Sequence, residues 1–180
     1  TRCNIGFPRT GYHRIKNNLV EQLFLGKIPL ERATAYFFYQ RGSDFCHIIH
    51  QLKYGGQKEI GEAMGRYMAA ELLSSGFFEG VDVIVPVPLH KKKQKLRGYN
   101  QSEWIARGIS AITSIPVETS GVVREKNTET QTRKSLFERW ENVDGIFHLV
   151  TPEFFVGKHI LIIDDVLTTG ATTVACASAF

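Results

Sequence analysis

The 180-residue sequence has no long hydrophobic run and few cysteines. No apolar stretch approaches the roughly 20 residues that a membrane-spanning helix needs, and no charged start with an apolar centre marks a secretory signal. We therefore expect a cytoplasmic protein with no membrane segment. Cys3, Cys46 and Cys176 are scattered and form no Cys-x-x-Cys pair, so they predict neither a disulfide framework nor a metal site.

Several phosphate-site motifs are also missing. The chain contains no Gly-x-x-x-x-Gly-Lys-[Ser/Thr] string, which excludes a Walker A loop. The adjacent acids Asp164 and Asp165 do not provide the Asp-x-Asp of haloacid-dehalogenase phosphatases. Only 15 residues follow Asp165, whereas the acid pair of a receiver domain lies near its amino end.

The composition fits one globular domain, with 43% hydrophobic and 22% charged residues and a net charge of +4. This mild basic excess suits an anionic ligand but is too sparse for a duplex-binding surface. The charge is compatible with either a small phosphorylated substrate or DNA as the ligand.

Strand and helix patterns alternate along the second half of the chain. β-Branched and aromatic runs predict strands at 34–39, 81–87, 117–123 and 160–163. Helical spacing predicts a short helix that begins near Asp44 and stops at Gly55, a longer one from Ile60 through Leu72 to Gly76, and a third over 101–112. This order predicts an α/β fold with an open, mostly parallel sheet flanked by helices. Ligands bind beyond the carboxyl ends of such strands.

The residues best suited to bind a ligand follow the strand at 160–163. Two carboxylates, Asp164 and Asp165, are followed by a loop of hydroxyls, a glycine and a helix start. Hydroxyls and free backbone N–H groups at such a turn form a concave site for a phosphate dianion. The residues expected to form it are Thr168, Thr169, Gly170, Ala171 and Thr172. The carboxylates can accept hydrogen bonds from vicinal hydroxyls and stabilise nearby positive charge, so the segment predicts a phosphorylated-sugar site.

This segment resembles the loop that binds 5-phosphoribosyl-1-pyrophosphate (PRPP) in type I phosphoribosyltransferases. Three further strings resemble the ComF family: PVPL at 86–89 with RGYNQ at 97–101, the segments 131–139 and 142–147, and LKYG at 52–55. The resemblance covers roughly residues 45 to 175. It implies a type I phosphoribosyltransferase-like fold with a small N-terminal hood or peripheral segment.

The resemblance also implies roles for individual residues. Val87 and Pro88, after the strand at 81–87, would hold the pyrophosphate, and Arg97 would grip its oxygens with its guanidinium fork. The neighbouring prolines suit an unusual backbone, although the sequence does not reveal the isomer of either bond. Asp164 and Asp165 would hold ribose hydroxyls and, through ribose or water, Mg²⁺.

Residues 124–142 resemble the mobile catalytic loop of phosphoribosyltransferases, which closes over PRPP and excludes water. The resemblance assigns catalytic roles to Gln131 and Arg139 there, beside Asp164, Asp165 and Arg97. A solvated loop whose charges serve solubility explains these residues as well. The basic run from Lys91 to Arg97 likewise remains open between a phosphate site and a flexible basic loop.

The expected activity is that of a glycosyltransferase, the transfer of phosphoribose from PRPP to an unidentified base or amine with release of pyrophosphate. The alternative is a non-catalytic PRPP- or nucleotide-binding component of DNA uptake, or a regulator. The family's association with competence leaves open a weak contact with single-stranded DNA or with a competence helicase. A homodimer is also left open.

The chain departs from the family pattern at its ends. ComF proteins usually begin with a four-cysteine zinc finger, and here only Cys3 stands where a ligand could remain. We expect zinc only in a region that this sequence lacks. Residues 1–30 are expected to be a linker that follows it, and residues 31–180 a phosphoribosyltransferase-like domain that is incomplete at its carboxyl end. The fold is therefore expected to be truncated at both ends.

Overall fold

The computed structural model describes residues 8–39, 44–125 and 145–180. Gln131, Arg139 and most of the predicted catalytic loop lie outside these ranges, as does Cys3. The helices described are α1 (Leu19–Phe24), α2 (Asp44–Tyr54), α3 (Lys58–Leu72), α4 (Lys91–Arg97), α5 (Gln101–Thr113), α6 (Pro152–Phe155) and α7 (Ala171–Ala177). The strands are β1 (Val83–Pro86), β2 (Val122–Arg124), β3 (Phe147–Leu149) and β4 (Ile160–Ile163). Two 3-10 turns lie at Tyr12–Arg14 and Leu73–Ser75.

The centre of the fold is a small parallel sheet. β1 pairs with β4 in a register that sets Val83 against Ile160 and Pro86 against Ile163. On the other side of β1, Val117 forms a single parallel bridge with Ile84. All four residues of β1 are buried, as expected for a short apolar strand covered on both faces. A separate antiparallel pair joins β2 to β3. The α/β class is confirmed, and the finer phosphoribosyltransferase-like arrangement stays a prediction.

Two strand predictions were wrong in extent. Among the described residues, the run 34–39 contributes one antiparallel bridge, between Arg9 and Phe37. Its rings pack on each other and on α2, since the Tyr36 and Phe37 centroids lie 4.3 Å apart, and those of Phe37 and Phe45 4.5 Å. In the run 117–123, the Glu118 carboxylate accepts the amides of Ser120 and Gly121 at 2.7 and 2.9 Å. This local turn ends pairing after Val117, and β2 begins only at Val122.

The helix predictions for α2, α3 and α5 are confirmed. The contact between α3 and α5 is unusually close, because a Cβ on Gly65 would lie 2.1 Å from the Ile105 carbonyl oxygen and one on Gly108 2.1 Å from that of Glu62. Their shared core includes Leu72, Ile105 and Ile109. This packing fixes the amino end of α5 beside the ends of β1 and β4.

The N-terminal segment shows no helical periodicity, yet it forms α1. Asn18 accepts the amides of Val20 and Glu21, and Glu21 accepts the Asn18 amide, which makes a complete capping box. Val20 and Phe24 pack with Val174 of α7. Because α1 has only six residues, its pattern is too short to detect by periodicity.

Candidate functional site

The two segments singled out from the sequence meet at one edge of the parallel sheet. Asp164 and Asp165 follow β4 directly, and Val87 and Pro88 follow β1. The Val87 amide donates to the Ile163 carbonyl at 2.8 Å, so the two strand ends are held side by side. The acid pair and the predicted pyrophosphate loop therefore lie side by side at the carboxyl edge.

The acid pair lies in a partly buried, strongly charged environment. Asp164 Oδ1 accepts the Asp165 amide at 2.9 Å and the Ser102 hydroxyl at 3.4 Å. Burial, and next the charge of Asp165, raise the pKa of Asp164 to about 6. The Lys53 ammonium lies 3.1 Å from Asp165 Oδ2, with the two side chains only 21% and 13% exposed. The two carboxyls are thus distinct: one is inward and hard to ionise, and the other is paired with a cation.

The hydroxyl loop after the acids leads into α7. Gly170 takes a left-handed conformation (φ +76°) and precedes the first helical residue. The Ala171 amide donates to Thr169 Oγ1 at 3.4 Å, while the amides of Thr172 and Thr173 have no hydrogen-bond partner among the residues the structure describes. Thr168 is exposed, and Thr169 and Thr172 are half-buried, so this loop keeps unused donors for an anion.

Gly170 itself faces the N-terminal segment. A Cβ there would lie 2.8 Å from Phe24 Cε1 and 3.0 Å from Leu23 Cδ2. The glycine therefore allows α1 to approach the loop closely, a constraint that the sequence pattern did not reveal. Its predicted role toward a phosphate stays a prediction.

The RGYNQ string connects the predicted pyrophosphate loop to α2. The Arg97 guanidinium donates to Gln101 Oε1 at 2.8 Å and lies 5.3 Å from the centre of the Tyr54 ring. The Asn100 side chain donates to the Val87 carbonyl at 3.0 Å and accepts the Ser102 amide at 3.1 Å, which caps α5. The string thus orients Arg97 and fixes the Val87 backbone. Within the described ranges no peptide bond is cis, including those before Pro86 and Pro88.

The basic run forms a helix, so of the two alternatives left open for it, a flexible loop does not describe its structure. The His90 side chain accepts the Lys92 amide and caps the start of α4, and Gly98 (φ +81°) caps its end. Lys91, Lys92 and Lys95 are exposed, whereas Arg97 is half-buried. The helix therefore turns Arg97 inward and leaves a cationic outer face.

Sequence reasoning missed the roles of Lys53, Ser102 and Arg124. Lys53 was noticed only inside the LKYG string, and Ser102 follows RGYNQ immediately. Arg124 is half-buried at the end of β2, and burial lowers its pKa while the nearby Asp164 charge opposes that change. The acid pair is thus surrounded by contributions from α2, α5 and β2.

The acid pair supplies only part of what a metal ion needs from its ligands. Among the described residues, no group of three or more His, Cys, Asp or Glu side chains could hold a metal ion. Asp164 and Asp165 supply oxygen donors, which suit Mg²⁺ held mainly by water and substrate oxygens rather than by a protein cage. Among the residues that the structure describes, no helix is long and apolar enough to cross a membrane.

Comparison with known proteins yields relatives, although no family model and no solved structure matches. The chain is 35% identical over 133 residues to the DNA utilization protein YhgH of Escherichia coli strain K12, covering 72% of this chain and 58% of the relative. It is 37% identical over 92 residues to Competence protein F of Haemophilus influenzae, or 51% of this chain and 40% of the relative. Competence protein ComFC of Bacillus subtilis is 34% identical over 90 residues, or 50% and 34%.

These matches agree with the resemblance carried by the sequence strings. The chain spans little more than half the length of the Escherichia coli relative and less of the other two. The chain belongs to the ComF family.

Proposed function

We propose that this chain is a phosphoribosyltransferase domain that binds PRPP with Mg²⁺ and transfers phosphoribose to a base or amine, releasing pyrophosphate. The observation that carries the proposal is the meeting of the acid pair after β4 with the Val87–Pro88 loop after β1, bridged by the 2.8 Å Val87–Ile163 hydrogen bond. A phosphorylated sugar that bears a second phosphate group needs both features at one edge.

Each part of the edge has a separate task in this proposal. The loop Thr168–Thr172 binds the 5′-phosphate through its hydroxyls and unused amides. Asp164 and Asp165 accept the ribose hydroxyls and stabilise the positive charge that develops at the anomeric carbon. Arg97, held by Gln101, binds pyrophosphate oxygens as that group leaves. Mg²⁺, when bound with substrate, supplies further neutralisation of the pyrophosphate charge.

The proposal is tested by PRPP-dependent release of pyrophosphate with a panel of nucleobases and amines. Release that depends on one acceptor class, and that is lost in Arg97→Met, supports transfer. Binding of PRPP without release under any acceptor supports the non-catalytic alternative.

A second candidate function is a component of DNA uptake that acts in the cytoplasm. The names of the relatives, which refer to DNA utilization and competence, favour it. Gln94 and Arg97 of α4 line a groove of about 480 Å³ that also contains Lys58 and Trp104. Lys58 and Arg107 lie 4.7 and 5.3 Å from the Trp104 ring centre. Basic side chains beside an aromatic ring are suited to a single strand of nucleic acid.

On this second candidate, single-stranded DNA is the ligand of the α4 face, and a competence helicase or a second copy of the chain is the partner. Fluorescence anisotropy with a labelled oligonucleotide tests the first contact. Sedimentation measures self-association. Binding that persists when Lys91, Lys92 and Lys95 are neutralised would contradict the use of this face.

A further inference from the structure

Lys53 occupies a fixed position at the end of α2. The preceding residue, Leu52, is fully buried, and its carbonyl accepts the Tyr99 hydroxyl. The helix ends one residue later, at Tyr54. The Lys53 stem therefore leaves a rigid helix end, and its ammonium reaches Asp165 across a separation of 112 residues in the chain.

The Lys53–Asp165 pair differs from the ion pairs that form within a single helix. The pairs Arg66–Glu62 and Arg107–Glu103 join neighbours on one helix, and their arginines are about half exposed. Lys53 and Asp165 come from different elements and are largely covered. Desolvation offsets much of the attraction in such a pair, so stability alone is a weak explanation for it.

Hydrogen bonds connect the end of α2, next to Lys53, to the proposed pyrophosphate loop. Leu52 is bonded to Tyr99, and the next residue, Asn100, is bonded to Val87. On the other flank of Lys53, the Tyr54 ring packs against the Arg97 guanidinium. The end of α2 thus supplies both the lysine that pairs with Asp165 and the ring that contacts Arg97.

We propose that Lys53 is a further substrate-binding residue that neutralises Asp165 in the empty site and binds the pyrophosphate group of PRPP in the loaded site. The inference rests on the proposed function. The ribose hydroxyls replace Lys53 as hydrogen-bond donors to Asp165, and the released ammonium turns to the pyrophosphate oxygens. A lysine suits this exchange because its charge is compact and its four-carbon stem is flexible.

The exchange predicts that Lys53 distinguishes PRPP from ribose 5-phosphate, which has the same 5′-phosphate and ring but no pyrophosphate. Calorimetric titrations with Mg²⁺ present would compare both ligands on the wild type, Lys53→Met, Lys53→Arg and the control Lys158→Met. Lys158 precedes β4, at the opposite end of the strand, and packs on Phe154. Inorganic pyrophosphate serves as a third probe.

Lys53→Met is expected to weaken PRPP and pyrophosphate binding by about 10- to 100-fold, the usual loss for a hydrogen bond to a charged group. Ribose 5-phosphate binding should change by less than about threefold, because that ligand does not reach the ammonium. Lys53→Arg should recover most of the PRPP affinity, and Lys158→Met should match the wild type.

Three outcomes would overturn the inference. An equal loss for ribose 5-phosphate and PRPP would mean that Lys53 only positions Asp165. Unchanged binding of all ligands would mean that Lys53 has no role in the site. A wild type that binds neither sugar phosphate would overturn the proposed function itself, and the inference with it. If Lys53→Met does not fold, as judged by its melting curve, Lys53→Gln provides the same comparison with a polar side chain.

Discussion

At the scale of single residues, the site depends on an asymmetry between two adjacent acids. Asp164 is turned inward onto Ser102, and Asp165 is paired with Lys53. Burial and the neighbouring charge make the ionised form of Asp164 costly. A charge held at a cost to folding is typical of residues kept for a ligand rather than for stability.

This asymmetry predicts the pH dependence of stability. The pKa of Asp164 is about 6 in the folded protein, above its ordinary value of 3.8, so the folded state binds its proton more tightly. The stabilisation is present below about pH 4 and is lost as the pH rises through about 6. Asp164→Asn removes that titration while keeping an oxygen that accepts from Ser102 and from the Asp165 amide. We expect the variant to gain stability relative to wild type as the pH increases from 4 to 7, measured by urea unfolding. A pH-independent difference would contradict the assigned environment.

The site residues that the sequence revealed are neighbours in the chain, and those that it did not reveal lie far from them in the chain. Asp164, Asp165 and the threonine loop form a continuous string after an apolar strand, so local pattern was sufficient. The partners of the acids could not be found this way, because Ser102 lies 62 positions from Asp164 and Lys53 lies 112 positions from Asp165. Only the fold brings α2 and α5 to the end of β4.

At the scale of elements, two close approaches set the site's frame. The first joins α3 and α5. Any side chain at position 108 would collide with the Glu62 carbonyl oxygen, and Gly108 avoids this clash. In an open helix, Gly→Ala would stabilise by about 1 kcal/mol. We expect Gly108→Ala to destabilise instead, by about 1–3 kcal/mol, because the helices must separate. Urea unfolding gives the sign directly. A stabilised variant would mean that α3 and α5 are not packed as described.

The second approach joins α1 to the hydroxyl loop at Gly170. Gly157 provides a matched control, since it has a similar φ of +72° but no atom within 4 Å of its Cβ position. Gly157→Ala should cost about 1–2 kcal/mol, for the left-handed backbone alone. Gly170→Ala should cost about 1 kcal/mol more, because Phe24 and Leu23 must shift. Equal losses of unfolding free energy would argue against the α1 contact in solution.

Local sequence also misled in identifiable ways. The run 34–39 has β-favouring residues, but its aromatic rings pack on one another and on α2 instead of pairing along a sheet. For the basic run, charge suggested only a phosphate site or a flexible loop, although Lys, Gln, Leu and Arg all favour helix and His90 caps it. In the aromatic run, β propensity indicated a strand, but ring packing determined the structure. In the basic run, attention to charge obscured the helix propensity.

At the scale of the whole molecule, positive charge is concentrated on the outer face of α4. Lys91, Lys92 and Lys95 are exposed there. If this face contacts single-stranded DNA, few phosphates are bound, so affinity should be weak and fall with salt at a log–log slope of about −2. Neutralising the three lysines to Gln should bring the slope near zero, while Lys16→Gln with Lys27→Gln should leave it unchanged. Tight binding with little salt dependence would contradict this picture.

The central claim, that the acid pair after β4 binds PRPP, is tested most directly by calorimetric titration of PRPP with Mg²⁺ into the wild type and the double variant Asp164→Asn, Asp165→Asn. The account predicts saturable binding to one site in the wild type and a loss of at least about 100-fold in the variant, since two charged acceptors are removed. The variant without ligand should still fold and unfold cooperatively, as judged by its melting curve. Identical isotherms for the two proteins, or no binding by a folded wild type, would contradict the account.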